Sequence, residues 1–347
     1  MHFIDFSTII EEAWNAYSPD TPTTDITDIS ARVSTNHVYK INLSPRKFVI
    51  GKLSYFGKFE HFKEDHTIIN KLGSILPPPY KKVLARSLTK DNKLFTYRYK
   101  NENVDIWVVF YKPVKIKQSL PRRLSREQIV NLGTEVANFH KACLEVTPKL
   151  PLSSKTLQSD IDHLLEILET DYGKYEHRGH IEIIKNQCYI FKENVAKLNQ
   201  DAMVDIPVFV DWNIGNFSLS DEGRIFSRWD YDWFRISFRV LDFYFFSRVV
   251  SEIGDRTIFT YNIEIMQHER FLLFLKAYHK VFPLKVCEIK MLKEAYRFFI
   301  LNYVIKDGRY FFHEIYASRL QSEAFKYYFP SIETGFDENK LIKELNL

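Results

Sequence analysis

The chain has 347 residues, of which 45% are hydrophobic and 27% charged, a balance that excludes disordered and fibrous classes and fits a soluble globular protein large enough for two lobes. A net charge of +4 spread along the sequence is too small to argue for a nucleic-acid partner, and no run of about 18 apolar residues offers a membrane span. Asp5, Glu11 and Glu12 stand where a signal peptide would be apolar, and Cys143, Cys188 and Cys287 show no metal-like spacing, so the expectation is a reduced, cytoplasmic protein.

Residues 6–17 have the helical spacing of Ile9, Ile10 and Trp14, and the Pro and Thr rich stretch at 18–27 ends them. Strand-like runs follow at 29–33, 38–43 and 48–53, separated by Ser34-Thr35-Asn36 and Ser44-Pro45-Arg46, which are hairpin spacings. Lys52 lies near the end of the third run, on the face of Phe48 and Ile50 by period-two counting. Residues 59–72 place Phe62, His66, Ile69 and Leu72 near helical spacing and carry Glu64. Beyond Pro77-Pro78-Pro79, runs at 94–99 and 104–111 complete a five-stranded antiparallel sheet that ends at Phe110, Tyr111 and Lys112, before Pro113. From Ser125 the period becomes helical. Ser125 and Gln128 form a capping box, and Ile129, Leu132, Val136, Phe139 and His140 share a face. His140 reads as a core histidine. Further helices are expected at 160–168, 181–198, 243–250, 269–281, 291–305 and 315–325.

The stretch 211–242 carries the chemistry. Asp211 and Asn216 share a loop, a strand at 217–219 leads to the turn Asp221-Glu222-Gly223, and a strand at 225–229 returns to Asp230. Glycine tolerates the positive φ of such a reversal, so the hairpin brings Asn216 and Asp230 together with Asp211 just outside. Asp and Asn are also ordinary turn formers; the hairpin and the second Asp distinguish this set from a chance spacing. Phosphoryl transfer needs a carboxylate for the attacking hydroxyl, and an Asn and an Asp for the Mg2+ that bridges nucleotide phosphates. The five-residue step from Asp211 to Asn216 equals that of the kinase catalytic loop.

The segment resembles the aminoglycoside phosphotransferase and choline kinase-like family, whose motif runs His-Gly-Asp, four residues, Asn, hairpin, Asp, then a later Leu-Asp. Here these are Phe209, Val210, Asp211, Asn216, Asp230 and Leu241-Asp242, with Phe209 and Val210 departing from the pattern. The run LGTEVANFHKAC resembles a helix of the family's larger lobe, and the ordered motifs cover roughly residues 25–310. The resemblance implies an α+β, two-lobed protein-kinase-like fold, with a small antiparallel-sheet N-lobe (1–111) that binds nucleotide and a mainly helical C-lobe (112–347) that carries catalysis and substrate.

It further implies ATP and Mg2+ as cofactors, Asp211 as the base, and Asn216 and Asp230 as metal ligands. Lys52 would pair with the nucleotide phosphates, held by Glu64. Ser34, Thr35 and Asn36 would face the phosphates or form a plain polar turn, and main chain at Phe110 and Tyr111 would meet adenine. Trp212, Tyr231, Asp232, Trp233 and Arg235 flank the site and either line an acceptor pocket or pack the lobe core. The implied reaction moves the γ-phosphoryl group to a hydroxyl of a small molecule, an aminosugar, sugar, choline or homoserine-like acceptor. The alternative is an inactive pseudokinase that binds nucleotide or a protein partner, motivated by Phe209 and the Gly-free phosphate turn. Retention of Asp211, Asn216 and Asp230 together argues against it.

Overall fold

The computed structural model describes residues 5–31, 37–118, 120–121, 123–252 and 260–347. Helix α1 (Phe6–Tyr17) starts at Asp5, whose carboxylate accepts the Ser7 N–H at 2.9 Å, satisfying one of the donors a helix start leaves open. Strands β1 (Asp25–Asp28), β2 (His37–Ser44) and β3 (Lys47–Ser54), helix α2 (Phe59–Ile75), the short pair β4 (Thr89–Lys90) and β5 (Lys93–Leu94), then β6 (Thr96–Lys100) and β7 (Asp105–Tyr111) complete the first half. The five longer strands form one antiparallel sheet in the order β1-β2-β3-β7-β6. Ile106, Val108 and Phe110 face α1, while Trp107, Val109 and Tyr111 face α2. Burial on both faces is why β7 is a continuous apolar run. The first strand lies at Asp25–Asp28, and residues 29–31 of the run expected at 29–33 carry no strand, its last two residues lying outside the described ones. It is an edge strand with only Ile26 packed inward, and Ile29 is exposed, so apolar patterning is a weak guide to it.

The second half is mainly helical: α3 (Arg126–Val146), α4 (Leu157–Glu169), α5 (Asp171–Glu176) and α6 (Ile181–Lys197) precede the small strands, and α7 (Phe243–Val249), α8 (Glu269–Val281) and α9 (Val286–Phe299) follow them. The Ser125–Gln128 capping box closes at the head of α3. Gly133 lets α3 approach α8 closely, since a Cβ there would sit 2.5 Å from the Phe274 carbonyl oxygen. A π-helical turn, Ile300–Lys306, continues α9. Four short strands, β8 (Asp205–Val208), β9 (Phe217–Leu219), β10 (Ile225–Arg228) and β11 (Arg235–Phe238), form two antiparallel ribbons, β9 with β10 and β8 with β11. The apolar core on the α2 face of the sheet runs on into the helical half without a break. The architecture is thus two-lobed α+β. Among the described residues, no helix is long and apolar enough to cross a membrane.

Candidate active site

The two ribbons position the site. The loop from β8 to β9 carries Asp211 and Asn216, the loop from β10 to β11 carries Asp230 and Asp232, and each loop is anchored in both ribbons. The hairpin turns at Gly223 with φ of 74°, and its mouth is closed by the Trp229 N–H donating to the Asn216 carbonyl at 3.0 Å.

On the first loop, Asn216 Nδ2 donates to Asp211 Oδ2 at 3.0 Å and Asn213 Nδ2 to Asp211 Oδ1 at 2.5 Å. The amide oxygen of Asn216 thereby points away from Asp211. Val210 has φ of 59°, the left-handed region that costs a β-branched residue about 1–2 kcal/mol; a glycine in the related motif carries no such cost. The carboxylate of Asp242 holds this backbone in place. Its Oδ1 accepts the N–H groups of Phe209 at 2.9 Å and Val210 at 2.6 Å, and its Oδ2 lies 3.1 Å from His140 Nε2. His140 Nδ1 lies 2.9 Å from the Tyr278 hydroxyl. His140 is therefore part of a fully buried brace and not of the reacting set.

On the second loop, Asp230 has φ of 66° and a side chain 34% exposed. Lys52 Nζ lies 2.8 Å from Asp230 Oδ1 and 2.6 Å from Asp232 Oδ1. Burial disfavours the charged lysine, yet the two carboxylates beside it more than offset this and raise its pKa. Burial likewise works against the Asp230 carboxylate, and the adjacent Lys52, with Arg228, brings its pKa below the ordinary value. Glu64 does not reach Lys52. Its carboxylate accepts the Ser153 hydroxyl at 3.1 Å and the Ser154 N–H at 2.7 Å, and Asp232 takes the place expected for it.

Asp230 and the amide oxygen of Asn216 are hard oxygen donors of the kind Mg2+ prefers, and that ion commonly takes its remaining ligands from phosphates and water. This set fits such an ion. Among the described residues no group of three or more His, Cys, Asp or Glu is placed to hold a metal by itself.

Other expected residues fall elsewhere. Ser34, Thr35 and Asn36 lie outside the described residues. The Phe110 carbonyl accepts from the Leu88 N–H at 2.7 Å, and the Lys112 N–H donates to Arg86 at 3.0 Å. Tyr111 pairs with Ile50 in the ladder and its hydroxyl bonds His66. The expected hinge main chain is thus engaged by residues 86–88. Trp212 and Trp233 pack in the core, 0% and 5% exposed. The Tyr231 hydroxyl donates to the carbonyls of Ala85 and Arg228, while Arg235 pairs with Asp160 at 2.7 Å.

Arg228 is the functional-looking residue that sequence reading missed. It is fully buried, donates to the carbonyls of Asp211 at 2.8 Å and Asn216 at 3.2 Å, and lies 5.3 Å from the ring centres of both Phe209 and Trp212. Phe209 so becomes a wall of the guanidinium's aromatic cage. The only signal in the sequence is a charged residue inside an otherwise buried strand.

No protein-family model matches this sequence, and no curated protein matches it in sequence. Solved structures do match in fold. An amicoumacin kinase, hAmiN, in complex with AMP-PNP, Ca2+ and Ami superposes with a TM-score of 0.64 at 13% identity, over 97% of this chain and 97% of that one. A microcompartment-associated aminopropanol kinase gives 0.61 at 15% identity, over 98% of each chain. The GDP complex of aminoglycoside 2'-phosphotransferase-IIIa gives 0.53 at 12% identity, over 95% of this chain and 98% of that one. The chain therefore has the protein-kinase-like fold.

Proposed function

We propose that the protein is an ATP- and Mg2+-dependent phosphotransferase acting on a hydroxyl of a small molecule, of the aminosugar, sugar, choline or homoserine-like kind. The observation that carries this reading is a convergence. Asp211 with Asn216, and Asp230 with Lys52, form two polar pairs from three parts of the chain, on loops joined by the Trp229 N–H to Asn216 carbonyl bond, and ligand sites tend to form between lobes. Residues 1–111 would supply the nucleotide half and 112–347 the catalytic half.

Asp211, oriented by Asn213 and Asn216, would accept the proton of the attacking hydroxyl. Lys52 would neutralise nucleotide phosphate, and Asp230 with Asn216 would hold Mg2+. When bound, that ion supplies charge neutralisation across the phosphates. Little covalent chemistry is asked of the chain, so position and charge carry most of the rate. The folds matched are named as kinases and phosphotransferases, which supports the same direction.

ADP release measured over a panel of hydroxyl acceptors tests the reading. Asp211→Asn is expected to lower kcat by about 10³-fold while nucleotide affinity stays within threefold. Full turnover by Asp211→Asn would show that the base is misassigned, and no ADP release with any acceptor would favour the pseudokinase.

A further inference from the structure

The loop from β10 to β11, which carries Asp230 and Asp232, is held differently at its two ends. Its near end is fixed by main chain: the Arg228 N–H donates to the Val83 carbonyl at 2.7 Å, and the Ala85 N–H to the Arg228 carbonyl at 3.0 Å. Its far end is gripped by two ammonium groups. Lys52 of β3 meets Asp232 at 2.6 Å, and Lys155 Nζ donates to the Phe234 carbonyl at 2.5 Å.

Lys155 has a second partner, Asp65 Oδ2 of α2, at 2.5 Å. Both side chains are nearly buried, 10% and 8% exposed. The residues before Lys155 reach the same helix, because the Ser153 hydroxyl and the Ser154 N–H both donate to Glu64. Consecutive residues ahead of α4 therefore grip consecutive residues of α2, and Lys155 carries that grip on to the loop. Only residues 55–58 separate α2 from β3, so the place of α2 bears on the place of Lys52.

Charge matching alone does not account for this arrangement. A buried ion pair adds little net stability over apolar side chains of similar volume, since desolvation offsets the attraction. An ammonium group has three donors, and here two of them serve groups from different elements, which fixes a position as well as a charge. The two lysines also differ in what nucleotide asks of them. Under the reading above Lys52 turns to phosphate, so its hold on the loop weakens at the step where Asp230 must be in place. Lys155, set between Asp65 and Phe234, keeps its hold.

We propose that Lys155 is a positioning residue for phosphoryl transfer: it ties α2 to the loop from β10 to β11 and so keeps Asp230 in register with the sheet while Lys52 serves the nucleotide. This rests on the phosphotransferase reading above and adds a residue to it.

The test compares wild type, Lys155→Met and the double variant Asp65→Leu/Lys155→Met. The single change strands the Asp65 carboxylate and can unfold the protein for that reason alone. The double change removes both charges, and the adjoining cavity of about 300 Å³ gives the leucine room, so this variant is expected to melt within a few degrees of wild type. Amide hydrogen exchange, read without ligand, is expected to be about fivefold faster in the loop and in the first turns of α2, with α3 unchanged. With ATP present, the Mg2+ concentration giving half of the ligand-induced melting shift is expected to rise about fivefold. The kcat for ADP release should fall about tenfold, while the KM for ATP at saturating Mg2+ stays within about threefold. A folded double variant with wild-type exchange and a wild-type Mg2+ half-point makes Lys155 a packing residue and overturns the proposal. Faster exchange with kcat and Mg2+ half-point unmoved overturns it too, since the tether then does not serve the site. A double variant that fails to fold makes the pair a folding element and overturns it likewise. Wild type that releases no ADP with any acceptor overturns the phosphotransferase reading, while exchange and the Mg2+ half-point, which need no turnover, still decide whether Lys155 positions Asp230. No Mg2+-dependent shift in wild type overturns both.

Discussion

Arg228 has no carboxylate within ion-pair distance among the described residues, yet its guanidinium is fully buried among Phe209, Trp212 and Tyr231. A buried cation without a close counter-ion is costly, and burial depresses its pKa accordingly. What it provides in return is geometry: two donors reach the carbonyls of Asp211 and Asn216, the residues whose spacing the proposed chemistry depends on. Stability and activity should therefore separate at this position. Arg228→Met removes the buried charge, which is favourable, and takes one of two donors from each carbonyl, leaving the Trp229 N–H on Asn216 and the Asn216 amide on Asp211, which costs about 1 kcal/mol. The two effects oppose each other, and urea unfolding is expected to change by no more than about 1 kcal/mol. Loss of loop positioning is expected to lower kcat by about 10²-fold. A variant that unfolds early in proportion to its lost activity would reduce Arg228 to a packing role.

At the scale of elements, one carboxylate joins the loop after β8 to the helices behind it. Asp242 accepts two main-chain N–H groups from Phe209 and Val210 and meets His140 of α3, which in turn meets Tyr278 of α8. Asp242→Ala leaves two buried N–H donors unpaired at about 1–3 kcal/mol each. Urea unfolding should show a loss of about 2–5 kcal/mol, while Asp242→Asn, which keeps an acceptor oxygen for those donors, should lose far less. Equal losses in both would place the stabilisation in charge and not in the accepted hydrogen bonds. This brace also marks how far the sequence could be read. The hairpin was legible because Gly223 and the flanking apolar strands are local signals, and α3 because its cap and period are local. The partners of Lys52 were not, since Asp232 replaces Glu64 through a contact 180 residues away in the chain. Arg228 was hidden for the same reason: its acceptors are carbonyls, which every residue owns. At Phe110 the carbonyl expected at a hinge is taken by the Leu88 N–H, and such engagement of main chain leaves no mark on side-chain pattern.

For the whole molecule, the charges drawn into the fold make stability depend on pH and on ligand. Burial raises the Asp307 pKa to about 6, against 3.8 for an ordinary aspartate. The folded state then binds this proton more tightly than the unfolded chain, so stability contributed here is present at low pH and lost as pH rises through the folded pKa. Between pH 5 and 7 the loss amounts to about 1 kcal/mol, and Asp307→Asn should remove that part of the pH dependence in paired urea titrations. Ligand dependence tests the molecule more directly. In the unliganded protein Lys52 is shared by Asp230 and Asp232, so Asp230 is replaceable without stranding the lysine. Asparagine is the suitable replacement, because it tolerates the positive φ found there and keeps the side chain's shape. Asp230→Asn is thus expected to melt close to wild type without ligand. At about a hundred times its dissociation constant, a ligand specific for the folded state stabilises by about 2.7 kcal/mol, a shift of several degrees. Wild type should show this with ATP and Mg2+ together and less with ATP alone. Asp230→Asn should lose the Mg2+-dependent part and retain the rest, because Lys52 remains to meet phosphate. An undiminished Mg2+-dependent shift in Asp230→Asn would remove Asp230 from the proposed metal site, whatever the fate of the other residues.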